Sequence, residues 1–331
     1  MTDRNPAEAI LGLSTAYWAS RCLHLAAEIG VADALGEVPQ TAEALAAAVG
    51  VQADPLYRVL RCLANHGIFE VRDGKVGHSD ASRLLKSDAR PSLRALAQMM
   101  GLKMHWDAYG ELGRTLRTGG PGVAAVTDGE LFGYFAAHSE EGRIFDQAMT
   151  AKAFAQIGPA LQAYDFSSFG TIGDIGGGAG HLLAAVLDAV PGAQGVLFDL
   201  PQVVERAAER PHPRIRYVGG DFFRDPIPAC DAYMLMTVLH DWSDAEAAAI
   251  LAQIRRAAPS GAKVLLLECV VDLGEGFDFG KDLDIEMLVM TTGRERTAEE
   301  WKTVLADGGW RLTRIAPTAA GVSAVIEAEP A

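Results

Sequence analysis

The feature that most constrains this chain is DIGGGAGH, Asp174–His181, set between an apolar run, TIGDIG, and an amphipathic stretch, HLLAAVLDAV. Glycines there let the backbone approach a ligand closely, next to the start of a helix. From about residue 170 to the end, short apolar runs alternate with helical stretches: GVLFDL, VVERAAER, IRYVGGD, CDAYMLM, AEAAAILAQIRRAA, AKVLLLECVV, TAEEWKTVLADGG, WRLTRIAP and SAVIEAE. Strand–helix alternation predicts an α/β fold: a mostly parallel, doubly wound sheet with helices on both faces.

The spacing inside the loop narrows the ligand. A dinucleotide loop needs G-x-G-x-x-G. Gly176 and Gly178 begin that pattern, but position 181 is His. What stands here is D-x-G-x-G-x-G: Asp174, Gly176, Gly178, Gly180. An acid ahead of the glycines suits a free ammonium group better than a pyrophosphate. No phosphate loop of the G-x-x-x-x-G-K-[ST] type is present. Asp199, before Leu200, ends the next apolar run, where an acid can accept hydrogen bonds from two ribose hydroxyls. It could instead cap the helix that Leu200 and Pro201 open. Asp221 and Phe222, in GGDFF, suit an adenine ring held by one polar group and one aromatic face; alone, Asp221 could simply close a turn. Three acids ending three consecutive strands point to one site, because open α/β sheets bind ligands at the carboxyl ends of their strands.

The N-terminal part reads as helical. Residues 7–35 carry Ile10, Leu13, Tyr17, Leu25, Ile29 and Val31 near helical spacing. A helix opened at Thr41 and closed by Gly50, a second started by Asp54 and Pro55, and a hairpin turned at Asp73-Gly74 give the outline of a winged helix. Its basic residues, Arg58, Arg61, Arg72 and Lys75, are few. They lie in a chain of net charge −14, which repels nucleic acid and anionic membranes. A structural, dimerising module is the expectation, not a DNA reader. Residues 92–165 read as mostly helical, with a loop near Thr118–Gly122.

DIGGGAG, FDLP, GGDFF and LHDWSD, in that order and at this spacing, resemble the small-molecule O-methyltransferases of the plant caffeate and bacterial polyketide type. The similarity covers nearly the whole chain. It implies a Rossmann-like class I methyltransferase sheet that binds S-adenosylmethionine (SAM) and releases S-adenosyl-L-homocysteine. The N-terminal winged helix would be a dimerisation domain. The implied divisions are 1–95 for dimerisation, 96–160 for connecting helices that contribute to the acceptor pocket, and 161–331 for SAM binding. The SAM-binding positions map onto Gly176, Gly178, Asp199, Asp221 and Phe222, with Asp174 and Leu200 beside them. One departure is visible: where plant members carry a Lys-Trp pair before the HDW histidine, this chain has Met236 and Thr237.

His240, in VLHDWSD, follows the fourth strand of the sheet. Methyl transfer to a hydroxyl requires the hydroxyl to lose its proton, and a histidine titrating near neutrality is a suitable base. The resemblance maps two flanking acids onto Glu268, in LLLECV, and Glu295, in GRERT. It also maps an acceptor-pocket F-x-x-x-M motif onto Phe145 and Met149, and a pocket methionine onto Met287. Trp106, Phe132, Phe135 and Met290 are plausible neighbours, although at helical spacing such apolar residues are as often plain core, and Asp241, beside the histidine, is a further pocket candidate. No histidine shows metal-ligand spacing, so a metal-independent enzyme is expected. The acceptor implied is a small hydroxylated aromatic molecule.

The partner's N-terminal segment, around Leu13–Trp18, would line the pocket of a homodimer. Four scattered cysteines without C-x-x-C, no secretory signal and no membrane-length apolar run predict the cytoplasm. Two other readings remain. One is a SAM-binding relative that methylates nitrogen, or hydroxylates or decarboxylates its acceptor. The other is a winged-helix regulator sensing a metabolite.

Overall fold

Asn5 and Pro6 open the first helix in the computed structural model, which describes residues 5–127, 129, 131–319 and 321–331. The chain divides into two compact units, Met1–Asp107 with Phe132–Lys152, and Ala108–Leu131 with Ala153–Ala331.

In the first unit, the Asn5 side chain accepts the amide of Ala7 at 3.0 Å and starts α1 (Pro6–Glu28). The helix expected over 7–35 breaks at Ile29–Gly30: Gly30 is left-handed and turns the chain into α2 (Val31–Ala34). After β1 (Gln40–Thr41), the Thr41 hydroxyl caps α3 (Ala42–Val49), and Gly50, at φ 74°, ends it. α4 (Ala53–Asn65) starts two residues ahead of expectation, with Gln52 rather than Asp54 at the cap position. The shift is tolerated because Pro55 still falls in the first turn, where amides have no intrahelical partner. β2 (Phe69–Arg72) and β3 (Lys75–His78) form the expected hairpin. Its turn residues Asp73 and Gly74 both have positive φ, as a tight two-residue turn demands. The strand order is β1-β3-β2. α5 (Asp80–Arg83), α6 (Arg94–Met100) and α7 (Lys103–Gly110) follow. Leu45, Leu60, Leu63, Phe69 and Val76 are buried together, so α3, α4 and the hairpin share one core.

α8 (Leu112–Thr118) and α9 (Leu131–Ala137) precede the long α10 (Ser139–Ala163). The second unit is built on a seven-stranded sheet whose strands are β4 (Thr171–Ile175), β5 (Gln194–Asp199), β6 (Ile215–Gly219), β7 (Ala232–Met236), β8 (Lys263–Glu268), β9 (Trp310–Pro317) and β10 (Ala324–Pro330). Its helices are α11 (His181–Ala189), α12 (Pro201–Ala207), α13 (Asp244–Ala257), α14 (Phe279–Met290) and α15 (Ala298–Asp307). The order is β6-β5-β4-β7-β8-β10-β9. β6 through β8 run parallel, and β10 is antiparallel to both its neighbours.

Alternate residues of β7 enter different cores. Tyr233 and Leu235 pack with Ile250, Trp301 and Trp310, while Met234 packs with Leu183, Leu187 and Val325. Both faces of the sheet are therefore covered, which explains the unbroken apolar runs of its central strands. The chain winds outward from β4 to β6, then returns to β7 and continues the other way. That reversal opens a crevice at the carboxyl ends of β4 and β7.

Candidate active site

The glycine loop lies at that crevice, at the end of β4. Asp174, on the strand, is 1% exposed, and neither carboxylate oxygen has a hydrogen-bond partner. The Leu183 amide points toward this carboxyl without closing a hydrogen bond. Burial first, and the neighbouring Asp199 second, push Asp174 up to about 7. Gly177 lies directly over it: a Cβ there would come within 2.5 Å of the Asp174 carboxyl carbon and of Leu197 Cδ1. Gly178, at φ 57°, faces open space, with nothing within 4 Å of where a Cβ would stand, and its amide donates to Asp199 Oδ2 at 2.8 Å.

Asp199 Oδ1 accepts the Leu200 amide at 2.7 Å, so the strand end fixes this carboxylate by two backbone donors. Leu200, not Asp199, occupies the cap position of α12. Burial raises Asp199 as well. Asp221 Oδ1 accepts the amide of Phe223 at 2.8 Å, so it does close a turn. Phe222 stands edge-on to Trp242, ring centres 5.8 Å apart.

A buried carboxylate with two unanswered oxygens, beside glycines that leave room, fits a ligand ending in an ammonium group. Asp199 is presented at the next strand end, as a ribose would require.

His240 lies on a one-turn 3₁₀ helix, Leu239–Asp241, just past β7, and is buried. Its Nδ1 is 2.7 Å from Glu295 Oε1, also buried. Its Nε2 lies 3.6 Å from Asp241 Oδ1. A carboxylate oxygen accepts, so the short contact to Glu295 is one in which Nδ1 carries the proton. Glu268, at the end of β8, takes a different part: its Oε1 accepts the amides of Val238 at 2.9 Å and Leu239 at 2.8 Å, and its Oε2 is 3.9 Å from His240 Nδ1. Burial is the largest influence on Glu268 and pushes it up to about 7, with His240 acting in the opposite direction. Both His240 and Glu295 precede helices opened by capping boxes, Ser243/Glu246 on α13 and Thr297/Glu300 on α15.

The acceptor-pocket candidates fall into separate groups. Within the first unit, Phe145 stacks on Phe135 at 4.5 Å and meets Phe132 edge-on at 6.2 Å. Phe145 and Met149 pack against Ala95, Met99 and Ala148. Trp106, edge-on to His24 at 6.1 Å, lines a cavity of about 520 Å³ with Arg21, Leu102 and Ile144, and the last two also pack in the cluster of Phe145 and Met149. Within the second unit, Met287 and Met290 are buried on α14, and Asp241 adjoins His240.

Sequence reasoning missed Gly177, which a run of three glycines could have flagged. It also missed Asp284, Gly293 and Arg296, which hold the histidine turn and its partner; GRERT was read for its glutamate alone.

The O-methyltransferase domain family matches residues 109–311, and the O-methyltransferase dimerisation domain matches residues 11–88. The chain is 39% identical to the phenazine O-methyltransferase PhzM of Lysobacter antibioticus, over 100% of both chains. It is 37% identical to the 8-amino-8-demethylriboflavin N,N-dimethyltransferase of Streptomyces davaonensis, over 92% of this chain and 90% of that one. The crystal structure of LaPhzM superposes with a TM-score of 0.93 at 38% identity, covering 99% of this chain and 100% of that one. Solved relatives hold SAM or S-adenosylhomocysteine, which agrees with the unpaired acid and open glycine loop found here. By match of fold, motif and sequence, the chain belongs to the SAM-dependent O-methyltransferase family.

Proposed function

We propose that this enzyme methylates a hydroxyl of a small aromatic acceptor, with His240 as general base and without a metal. The observation that carries the reading is the buried His240–Glu295 pair, 2.7 Å apart, at the strand end beside the glycine loop. Bound SAM supplies an electrophilic methyl carbon on a sulfonium sulfur. Asp174 would hold the donor's ammonium, Asp199 its ribose hydroxyls, and Asp221 with Phe222 its adenine. His240 Nε2 takes the acceptor proton, and Glu295 steadies the imidazolium through Nδ1. A base of this kind contributes about 10²–10⁴-fold. It favours a hydroxyl, which must lose a proton to become nucleophilic, over a neutral amine, which already offers a lone pair.

The aromatic and methionine candidates Trp106, Phe132, Phe145, Met149 and Met287 suit a flat apolar acceptor. One relative is a phenazine O-methyltransferase, which agrees with that class. We assign residues 1–95 to dimerisation, 96–160 to pocket-forming helices and 161–331 to SAM binding. The exposed apolar residues of α1, Ile10, Leu13, Tyr17 and Trp18, support a homodimer through the first of these. Among the described residues no helix is long and apolar enough to cross a membrane. Four free cysteines suit the reducing cytoplasm.

The test is mass spectrometry of products formed with SAM from a panel of phenols, naphthols, phenazines and anthracyclinones. Methyl ethers are the expected products; methyl groups found only on nitrogen would overturn the reading. Light scattering at micromolar concentration should give a dimer, and a monomer would contradict the assignment of residues 1–95.

A further inference from the structure

Resting on the assignment of His240 as base, we propose that Arg296 is a positioning residue whose guanidinium clamps the backbone turn that carries His240. The Arg296 side chain is wholly buried. Its Nη1 donates to the carbonyl of Leu239 at 3.0 Å, and its Nη2 to the carbonyl of Trp242 at 2.8 Å. These two carbonyls bracket His240. Nε donates to Asp244 Oδ1 at 2.8 Å, and the guanidinium lies 5.0 Å from the Trp301 ring centre. The carbonyl of His240 itself accepts the Arg294 amide at 2.9 Å. On the opposite side Glu268 takes the amides of Val238 and Leu239. The turn is thus held at its donors by a buried carboxylate and at its acceptors by a buried guanidinium.

The neighbouring sequence is shaped to this contact. A Cβ on Gly293 would lie 1.9 Å from the His240 carbonyl oxygen and 2.4 Å from the Asp241 carbonyl carbon, so only glycine lets this segment lie against the turn. The Glu295 amide donates to Asp284 Oδ1 at 2.8 Å. One short segment, Gly293–Arg296, therefore fixes both the histidine and the carboxylate that orients it.

Stability alone is a weak reason for the arginine. Burying a charge is costly, and well-packed apolar residues of similar volume are often as stable as a buried ion pair. Its acidic partner Asp244 is half-exposed, so most of the buried donors are spent on backbone carbonyls. Arginine offers a planar fork of five donors, which lysine cannot reproduce.

The test compares Arg296→Lys, His240→Gln and the double variant, with acceptors whose hydroxyls span a range of acidity. Arg296→Lys should fold and keep its SAM affinity by calorimetry, while kcat falls by about 10–100-fold from a displaced base. The loss should shrink for hydroxyls already ionised at the assay pH. The double variant should be no slower than His240→Gln. A loss equal for all acceptors, or one that multiplies with that of His240→Gln, would show a role independent of the base and overturn the proposal. So would an unchanged kcat in Arg296→Lys. If Arg296→Lys does not fold, Asp244→Asn loosens the clamp from its exposed end. It should then show the same dependence on acceptor acidity, and its absence would overturn the proposal. Failure of the base assignment is read separately, as wild-type turnover in His240→Gln alone.

Discussion

The glycine loop and the histidine turn are both acid-rich ends of neighbouring strands, yet they are finished differently. At the loop, Asp174 has two oxygens with no hydrogen-bond partner. At the turn, the chain answers its own backbone: amides end on Glu268, carbonyls on Arg294 and Arg296, and the imidazole on Glu295, while Glu268 and Glu295 each keep one buried oxygen, Oε2, without a hydrogen-bond partner. A binding site keeps polar groups in want of a ligand, whereas a site that must hold one proton acceptor in one orientation is organised beforehand.

The contrast is broken most sharply from the turn. Glu295→Gln removes the negative charge that steadies an imidazolium and lets Nδ1 lose its fixed proton. Turnover should fall by on the order of 10²–10⁴-fold, with SAM affinity kept, as measured by steady-state kinetics and calorimetry. A parallel loss of SAM binding would mean that the two regions are not separate.

At the loop, the expected effect is on binding. Asp174→Asn should weaken SAM by about 1.5–3 kcal/mol, since a buried charge-assisted contact is lost. The pH dependence sharpens this. In the free enzyme Asp174 sits near 7, above its unfolded value, so below that pH it holds a proton. A cationic ligand needs the carboxylate, so binding expels the proton and affinity falls as pH drops below about 7. An α-amino group titrates at roughly 7.7–8.0, so affinity should fall again above that range. Calorimetry in buffers of different ionisation enthalpy should detect the released proton in wild type and none in Asp174→Asn. A flat profile in wild type would remove Asp174 from the ammonium site.

The smallest effect concerns Thr237, at the junction between strand and turn. This β-branched residue has φ 50°, in the left-handed region that threonine disfavours. Thr237→Asn, which tolerates that conformation better, should raise the unfolding free energy by about 1 kcal/mol, seen as a higher denaturation midpoint. A lowered midpoint would mean that the side chain's contacts outweigh the strain.

What the sequence disclosed follows the same divide. Asp174, Asp199 and the glycines were legible because each stands at a strand end in a local pattern, and the period of apolar residues fixes where strands end. His240 and Glu295 were legible by resemblance, 55 residues apart, though no local pattern pairs them. Arg296 and Gly293 were not legible, because their reason lies in a crossing of two loops distant in sequence. Glu268 was expected to flank the base; that its carboxylate also holds two backbone amides could be seen only with the turn in place. In the N-terminal part, the hairpin at Asp73-Gly74 was plain, whereas the helix break at Gly30 was hidden by apolar spacing that continues to Val31.

The central claim is that His240 removes the acceptor's proton. The direct measurement is kcat of His240→Gln and wild type against a series of phenols of graded acidity. For a weakly acidic phenol, the variant should lose about 10²–10⁴-fold while still binding SAM, and the loss should vanish toward phenols ionised at the assay pH. If His240→Gln instead methylates the weakly acidic phenol within about threefold of wild type, far inside the range for a lost base, His240 is not the base.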